Sequence, residues 1–192
     1  MRNPAAIAAL AALLLAPACA ADREPLEYLD PDTGATVTVA AQPLVFANPR
    51  TELAANARDY VTLAGAAVNR GGKLTYVGIA YFWSSVDPRM LGAPLPAPEP
   101  LILQADDRRI ELRLQGQSAR DAGIGAAVEP PTRRAAGPPS VYGLDLATMR
   151  FIAEARQLTV LAESNGTPLP YPLWEDRRTA LRSFVRHMSG SD

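Results

Sequence analysis

Two residue types that often carry chemistry, cysteine and histidine, occur once each, as Cys19 and His187. A zinc site commonly uses about four Cys, His or carboxylate ligands, and a Cys/His or Ser/His catalytic pair needs a histidine beside its nucleophile. His187 falls in the last turn of a predicted C-terminal helix, where a surface side chain is the expected structure. The sequence therefore predicts no catalytic residue, no metal site and no cofactor.

Carboxylates are the remaining candidates for acid–base catalysis. Asp106 lies next to Asp107, and Glu175 lies next to Asp176, but neighbouring side chains in a strand or helix point apart and do not converge on one substrate. Residues 30–34 (DPDTG) begin like a calcium-binding loop, yet they lack the later acidic ligands and are typical of a tight turn.

Arginines recur at regular spacing near the C-terminus. Arg178, Arg182 and Arg186 lie along a predicted helix over residues 176–188. Four apolar residues at helical spacing predict that the other face of this helix packs on a sheet: Leu181, Phe184, Val185 and Met188. We expect the three arginines to face water and to form a candidate interaction face for anionic headgroups or for a partner.

The overall charge disfavours nucleic acid as a partner. The chain has 19 Lys and Arg residues against 20 Asp and Glu residues, a net charge of −1. Proteins that bind nucleic acid usually carry a positive excess that contacts the phosphates. We therefore expect no nucleic acid partner.

The elements that would hold these residues are mostly strands. Residues 59–68 and 73–84 are rich in β-branched and aromatic residues and flank the turn sequence NRGG, which predicts a central hairpin. Both faces of this hairpin carry apolar residues, so we expect it to be covered on both sides. In the expected register Leu63 faces Gly78, and large side chains repeatedly meet small ones.

Shorter hairpins are predicted around residues 30–34, within 101–115 and within 158–173. In the last of these, prolines at every second position remove N–H groups from one side of the strand, which predicts an edge strand. These prolines are Pro168, Pro170 and Pro172.

Two helices complete the expected fold. Residues 144–156 carry an apolar stripe with Asp145 or Thr148 available as a cap, and the C-terminal amphipathic helix follows the last hairpin. Residues 117–139 are expected to be irregular and flexible, and the tryptophans are expected in the core. The predicted fold is α+β, mainly antiparallel β, as a sandwich or curled sheet with a mid-chain helix and a C-terminal amphipathic helix.

The N-terminus has the layout of an export signal, because Arg2 precedes twelve apolar residues that end in small ones. As a helix, twelve residues span about 18 Å, well short of the roughly 30 Å hydrocarbon core of a bilayer. The expected organisation is a signal peptide at residues 1–18, a tether at 19–25 and a single globular domain at 26–192.

Residues 15–19 (LAPAC) resemble the lipobox of bacterial lipoproteins. Ala18 supplies the small residue before the cysteine, whereas Ala16 stands where leucine is usual and Pro17 is atypical. The resemblance implies that Cys19 becomes the lipid-modified N-terminus and anchors the protein on the periplasmic side of the envelope, in the outer membrane. Cleavage by an ordinary signal peptidase is the alternative, and it would leave a soluble periplasmic protein.

By elimination of chemistry, the sequence favours an exported, lipid-anchored envelope protein with a non-catalytic binding or assembly role toward an unidentified envelope protein or ligand. A periplasmic small-ligand-binding domain is the alternative, and a large apolar pocket around residues 117–139 would favour it. A hydrolase is a further alternative that would need converging carboxylates in a cleft.

Cys19 should be the first residue of the mature protein and should carry lipid, because this cysteine directly follows a run of signal-peptide length and a small residue. Mass spectrometry of the protein taken from a bacterial envelope should show acylated Cys19, and Cys19→Ser should release the protein from the membrane. A mature protein that begins at Ala21, or an unmodified Cys19, would contradict the prediction.

Overall fold

The computed structural model describes residues 23–87, 97–125, 137–164 and 167–190. The predicted signal peptide, Cys19 and the first part of the tether lie outside these residues. The described part is α+β, with antiparallel strands in one curled, unclosed sheet and two helices. This confirms the predicted fold class in its curled-sheet form.

The elements follow one another in this order: β1 (Leu26–Leu29), β2 (Thr36–Val39), β3 (Leu44–Pro49), β4 (Arg58–Arg70), β5 (Lys73–Ser84), β6 (Leu101–Ala105), β7 (Arg108–Leu112), β8 (Ser140–Gly143), α1 (Leu146–Glu154), β9 (Leu158–Ser164), β10 (Thr167–Glu175) and α2 (Arg178–Ser189). The predicted hairpins appear as β1–β2, β4–β5, β6–β7 and β9–β10. The sequence did not predict β3 or β8.

The central hairpin is β4–β5, and its turn is tighter than expected. Gly71 and Gly72 form a two-residue turn with φ of 58° and 82°, a conformation that glycine adopts without steric cost. Because β4 continues through Arg70, the predicted register is wrong by two residues, and Gly78 faces Gly65 while Leu63 faces Ala80. A shift by an even number of residues keeps every side chain on its predicted face.

The two central glycines make room for packing on the helix side of the sheet. A Cβ atom at Gly65 would lie 2.8 Å from Leu181 Cδ1 and 3.1 Å from Met149 Sδ, and one at Gly78 would lie 3.0 Å from Leu63 Cδ1. Side chains from both helices therefore sit directly on the backbone of the hairpin.

Both faces of the hairpin are covered, as predicted. One face packs against α1 and α2 in a cluster that includes Phe46, Met149 and Phe184. The other face forms a second cluster that includes Val37 and Ile124. The β4–β5 hairpin thus separates two apolar cores, and β4 is buried at every residue from Val61 to Val68.

The sheet runs in the order β1-β2-β4-β3-β10-β9-β6-β7, with β5 paired to β4 and β8 paired to β5. It curls so far that the chain just after β7 approaches β8. Gln115 N donates to Val141 O at 2.7 Å, and Gly143 N donates to Arg113 O at 2.9 Å.

The prediction that the proline-rich strand lies at an edge is wrong for β10 as a whole. β10 pairs with β9 along its proline segment and with β3 at Leu173 and Glu175. The N–H groups that the prolines lack still restrict pairing locally, because the pairing of β10 with β3 begins only after Pro172. Along the proline segment, the Asn48 side chain donates to Pro170 O at 2.8 Å.

Both helices form as the apolar spacing indicates. Asp145 caps α1 by accepting a hydrogen bond from Thr148 N at 2.7 Å. The predicted apolar face of α2 is buried, with Phe184 fully enclosed. Neither helix in the described ranges is long and apolar enough to cross a membrane.

Residues 117–125 contact the turn at residues 30–34, and the expected flexibility of the 117–139 stretch stays a prediction. Asp30 is fully buried and accepts hydrogen bonds from the backbone N–H groups of Asp32, Thr33 and Gly125 at 2.8–3.0 Å. The DPDTG string is therefore a turn whose first carboxylate binds backbone rather than a cation. Residues 126–136 lie outside the described part of the chain.

Gly65→Val should lower the free energy of unfolding by about 1–3 kcal/mol through overpacking against Leu181 and Met149. Gly143→Val is the matched control, because Gly143 is exposed in β8 and its nearest neighbour to a new Cβ is 3.6 Å away. Urea unfolding of both variants measures the difference. Equal stability of the two variants would mean that α1 and α2 do not pack on the hairpin.

Candidate functional site

The surface of the sheet carries a groove lined by Tyr60, Trp83 and Trp174, here called the aromatic groove. Its volume is about 350 Å³. Tyr60 and Trp83 are paired residues of β4 and β5, and their rings stack with centroids 4.0 Å apart and an angle of 12° between planes. The central hairpin thus builds one wall of the groove.

Trp174 reaches the groove through an irregularity of β10. Leu173 faces Phe46 and Glu175 faces Val45, so Trp174 is an extra residue in a β-bulge. Bulges change the direction of a side chain and are common beside functional sites. Trp174 is 54% exposed, and the Arg58 guanidinium lies 4.4 Å from its ring centroid. The expectation that both tryptophans belong to the core is therefore wrong for Trp174.

Polar groups beside these rings give the groove its electrostatic character. Glu175 and Arg177 form an ion pair at 2.9 Å and both line the groove, so their charges balance. Gln42 adds an amide that can donate and accept hydrogen bonds. The Trp83 Nε1 atom is buried and has no hydrogen-bond partner among the described residues, so this donor is not presented at the groove surface.

The structure places the three predicted arginines in two different environments. Arg178 and Arg182 are only partly exposed, and they donate hydrogen bonds to Ala155 O and Ala153 O, respectively. These carbonyls lie at the C-terminal end of α1, where positive groups stabilise a helix. The expectation that all three arginines face water is therefore wrong for Arg178 and Arg182, whereas Arg186 is exposed.

Arg182 and Arg186 lie together with a residue that the sequence did not single out. Both line a second groove, between α1 and α2, which also contains Arg150 of α1. Arg150 is 32 residues from Arg182 in the chain, and only the packing of the two helices brings them together. Arg178 does not line this groove.

Several carboxylates of the described residues make structural contacts. Asp59 is 1% exposed and pairs with Arg50. Burial, together with the nearby Asp59 charge, raises the pKa of Tyr171 to about 12, so this phenol stays neutral near pH 7. Asp106 accepts hydrogen bonds from the backbone N–H groups of Arg156 and Gln157 at 2.9 and 2.8 Å.

Within residues 23–87, 97–125, 137–164 and 167–190, no group of three His, Cys, Asp or Glu side chains is placed to hold a metal ion. His187 is exposed on α2, as its position in the sequence predicts.

No protein-family model, no curated protein and no solved structure matches this chain. The candidate sites therefore depend on geometry alone.

Arg178→Gln should destabilise the protein by about 1 kcal/mol, because the C-terminal carbonyl of α1 loses a charged donor. Arg156→Gln is the matched control, since the exposed Arg156 follows the same helix without a side-chain contact among those described. Urea unfolding near pH 7 provides the comparison, and equal loss in both variants would contradict a capping role.

The ion pair between Arg178 and Asp176 predicts that the stability of the protein depends on pH. The Arg178 guanidinium holds the pKa of the Asp176 carboxyl below its usual range. A lowered pKa contributes stability above the pKa of the unfolded chain and loses it as the pH falls through the pKa of the folded protein. The stability gap between wild type and Arg178→Gln should therefore narrow in acid.

Proposed function

We propose that this protein is an exported, lipid-anchored envelope protein with a non-catalytic binding role, and that its ligand occupies the aromatic groove. The observation that carries the proposal is the β-bulge that exposes Trp174 opposite the stacked Tyr60 and Trp83 rings. A large aromatic side chain gains free energy when it is covered, and exposed tryptophan is typical of binding surfaces.

The charges of the groove favour a neutral ligand. The Glu175 and Arg177 side chains neutralise each other, so an ion would find no unbalanced charge between them. The rings offer flat apolar faces, while the Gln42 amide offers hydrogen bonds. A sugar ring combines an apolar C–H face with hydroxyl groups around its edge, and a neutral saccharide is the ligand class that matches this arrangement.

The lipobox resemblance supports an envelope location. A lipid on Cys19 would hold the domain on the periplasmic side of the envelope, in the outer membrane, by a tether of a few residues. Without the lipid, the domain would act as a soluble periplasmic protein. The aromatic groove would serve the same ligand in either case.

The distribution of carboxylates supports a binding role over hydrolysis. Asp30, Asp59 and Asp106 each hold nearby backbone or an arginine, and Glu175 is paired with Arg177 inside the groove. A glycosidase would need two carboxylates facing each other across the substrate, about 5–10 Å apart. We therefore propose that the ligand is held and released unchanged.

A small-ligand-binding function stays the second candidate, because the groove volume of about 350 Å³ lies near the lower end of the roughly 300–1,000 Å³ typical of small-molecule sites. The first candidate function predicts that a unit of a larger glycan binds, whereas the second predicts that a free sugar binds. Residues 117–125 line neither groove described above, so neither groove is the large apolar pocket around residues 117–139 that would favour this candidate.

Chitotetraose, a neutral oligosaccharide, should quench or shift tryptophan fluorescence of the mature protein, and Trp174→Ala should weaken its binding at least about tenfold, or 1.4 kcal/mol. Leu29→Ala is the control, because Leu29 is another exposed apolar side chain, 70% accessible, outside the groove. Isothermal titration measures both variants.

Two results would count against the proposal. Unchanged affinity in Trp174→Ala would place the ligand elsewhere on the protein. Hydrolysis of chitotetraose by the wild-type protein, detected by chromatography of the products, would replace a binding role with a catalytic one.

A further inference from the structure

The groove between α1 and α2, here called the interhelical groove, differs from the aromatic groove in charge, because most of its ionisable residues are arginines. Arg150 donates to Ser189 Oγ at 2.9 Å near one end, and Arg182 donates to Ala153 O at 3.0 Å near the other. Along the two helices these contacts run in opposite order, so α1 and α2 are antiparallel. The groove between them has a volume of about 380 Å³.

The ionisable residues that line the interhelical groove are three arginines and one carboxylate. Arg150, Arg182 and Arg186 face the same space as Glu154, so the lining carries a net charge of +2. An anion bound in the groove would therefore meet more positive than negative side chains. Buried Ala153 and Val185 form part of the groove surface and limit access of water on that side.

Two of the guanidinium groups are oriented before any ligand arrives. Arg182 also donates to Thr179 Oγ1 at 3.3 Å, in addition to its bond to Ala153 O, and Arg150 is held by Ser189. A guanidinium has five N–H donors, so donors remain on each side chain for a ligand. Oriented, planar donors reduce the entropy lost on binding and suit the tetrahedral oxygens of phosphate.

We propose that the interhelical groove is a phosphate-binding site that takes a phosphate monoester. Such a group carries about −1.5 to −2 charges at neutral pH, which matches the net charge of the lining. The phosphate can belong to a free phosphate ester or to the headgroup of a lipid, and both present the same group to the arginines. This site is separate from the aromatic groove and does not depend on the ligand proposed there.

Inorganic phosphate is the first probe, titrated into the mature protein at low ionic strength, where charge interactions are least screened. We expect saturable heat of binding, and the double variant Arg150→Gln/Arg186→Gln should weaken it at least about tenfold. Arg182 is left unchanged because it also caps α1. The control is Arg70→Gln/Arg113→Gln, which removes the same charge from exposed sites outside the groove.

Vesicles distinguish the two sources of phosphate. The Cys19→Ser protein, which lacks the predicted anchor, is mixed with phosphatidylcholine vesicles with or without phosphatidic acid, whose headgroup is a phosphate monoester. Sedimentation only with phosphatidic acid, lost in the Arg150/Arg186 variant and kept in the control, supports a lipid source. Binding of inorganic phosphate without sedimentation supports a soluble ester.

The proposal is overturned if neither probe binds, or if both double variants lose binding equally, since the effect would then reflect total charge alone. Thermal unfolding of both variants serves as the folding check. Because Arg150 and Arg186 are exposed, their replacement should leave the melting temperature close to that of the control.

Discussion

The structure depends on the close approach of α1 and α2 to the backbone of the β4–β5 hairpin. Gly65 and Gly78 face each other at the centre of these strands, and Leu181 and Met149 fill the space that side chains would take at Gly65. Tight contact between helix and sheet buries apolar surface without leaving voids, which is the main source of stability in such a domain. The other face of the same hairpin packs against the second apolar core, so both cores include residues of β4 and β5.

This arrangement determines the positions of the two grooves. One is formed beside the hairpin, and the other lies between the two helices. The end of the hairpin carries the Tyr60 and Trp83 rings, and the neighbouring bulge in β10 adds Trp174. On the helix side, antiparallel packing brings Arg150 beside residues of α2. One groove is aromatic with a Glu175–Arg177 ion pair, and the other is lined by three arginines and Glu154, so the two differ in charge. Under the two proposals, a glycan and a phosphate would bind to separate sites on the same domain.

Predictions for the functional residues succeeded only in part, because exposure and partners depend on distant segments. The spacing of arginines on α2 identified Arg182 and Arg186, which do line a groove, but gave no means to find Arg150. Arg178 matched the same pattern and instead caps α1. Trp174 resembled a core residue by type, and the bulge that exposes it arises from the pairing of β10 with β3 on either side of it.

The sequence by itself determined the local elements: hairpins at their turn residues, the Asp145 cap, the buried stripe of α2 and the faces of the central strands. These depend on side-chain periodicity and turn chemistry, which act over a few residues. Tertiary structure decided the two-residue register of β4–β5, the place of β10 inside the sheet and the contents of both grooves. Such features depend on which distant segments pack together, and that choice is made by the free energy of the whole core.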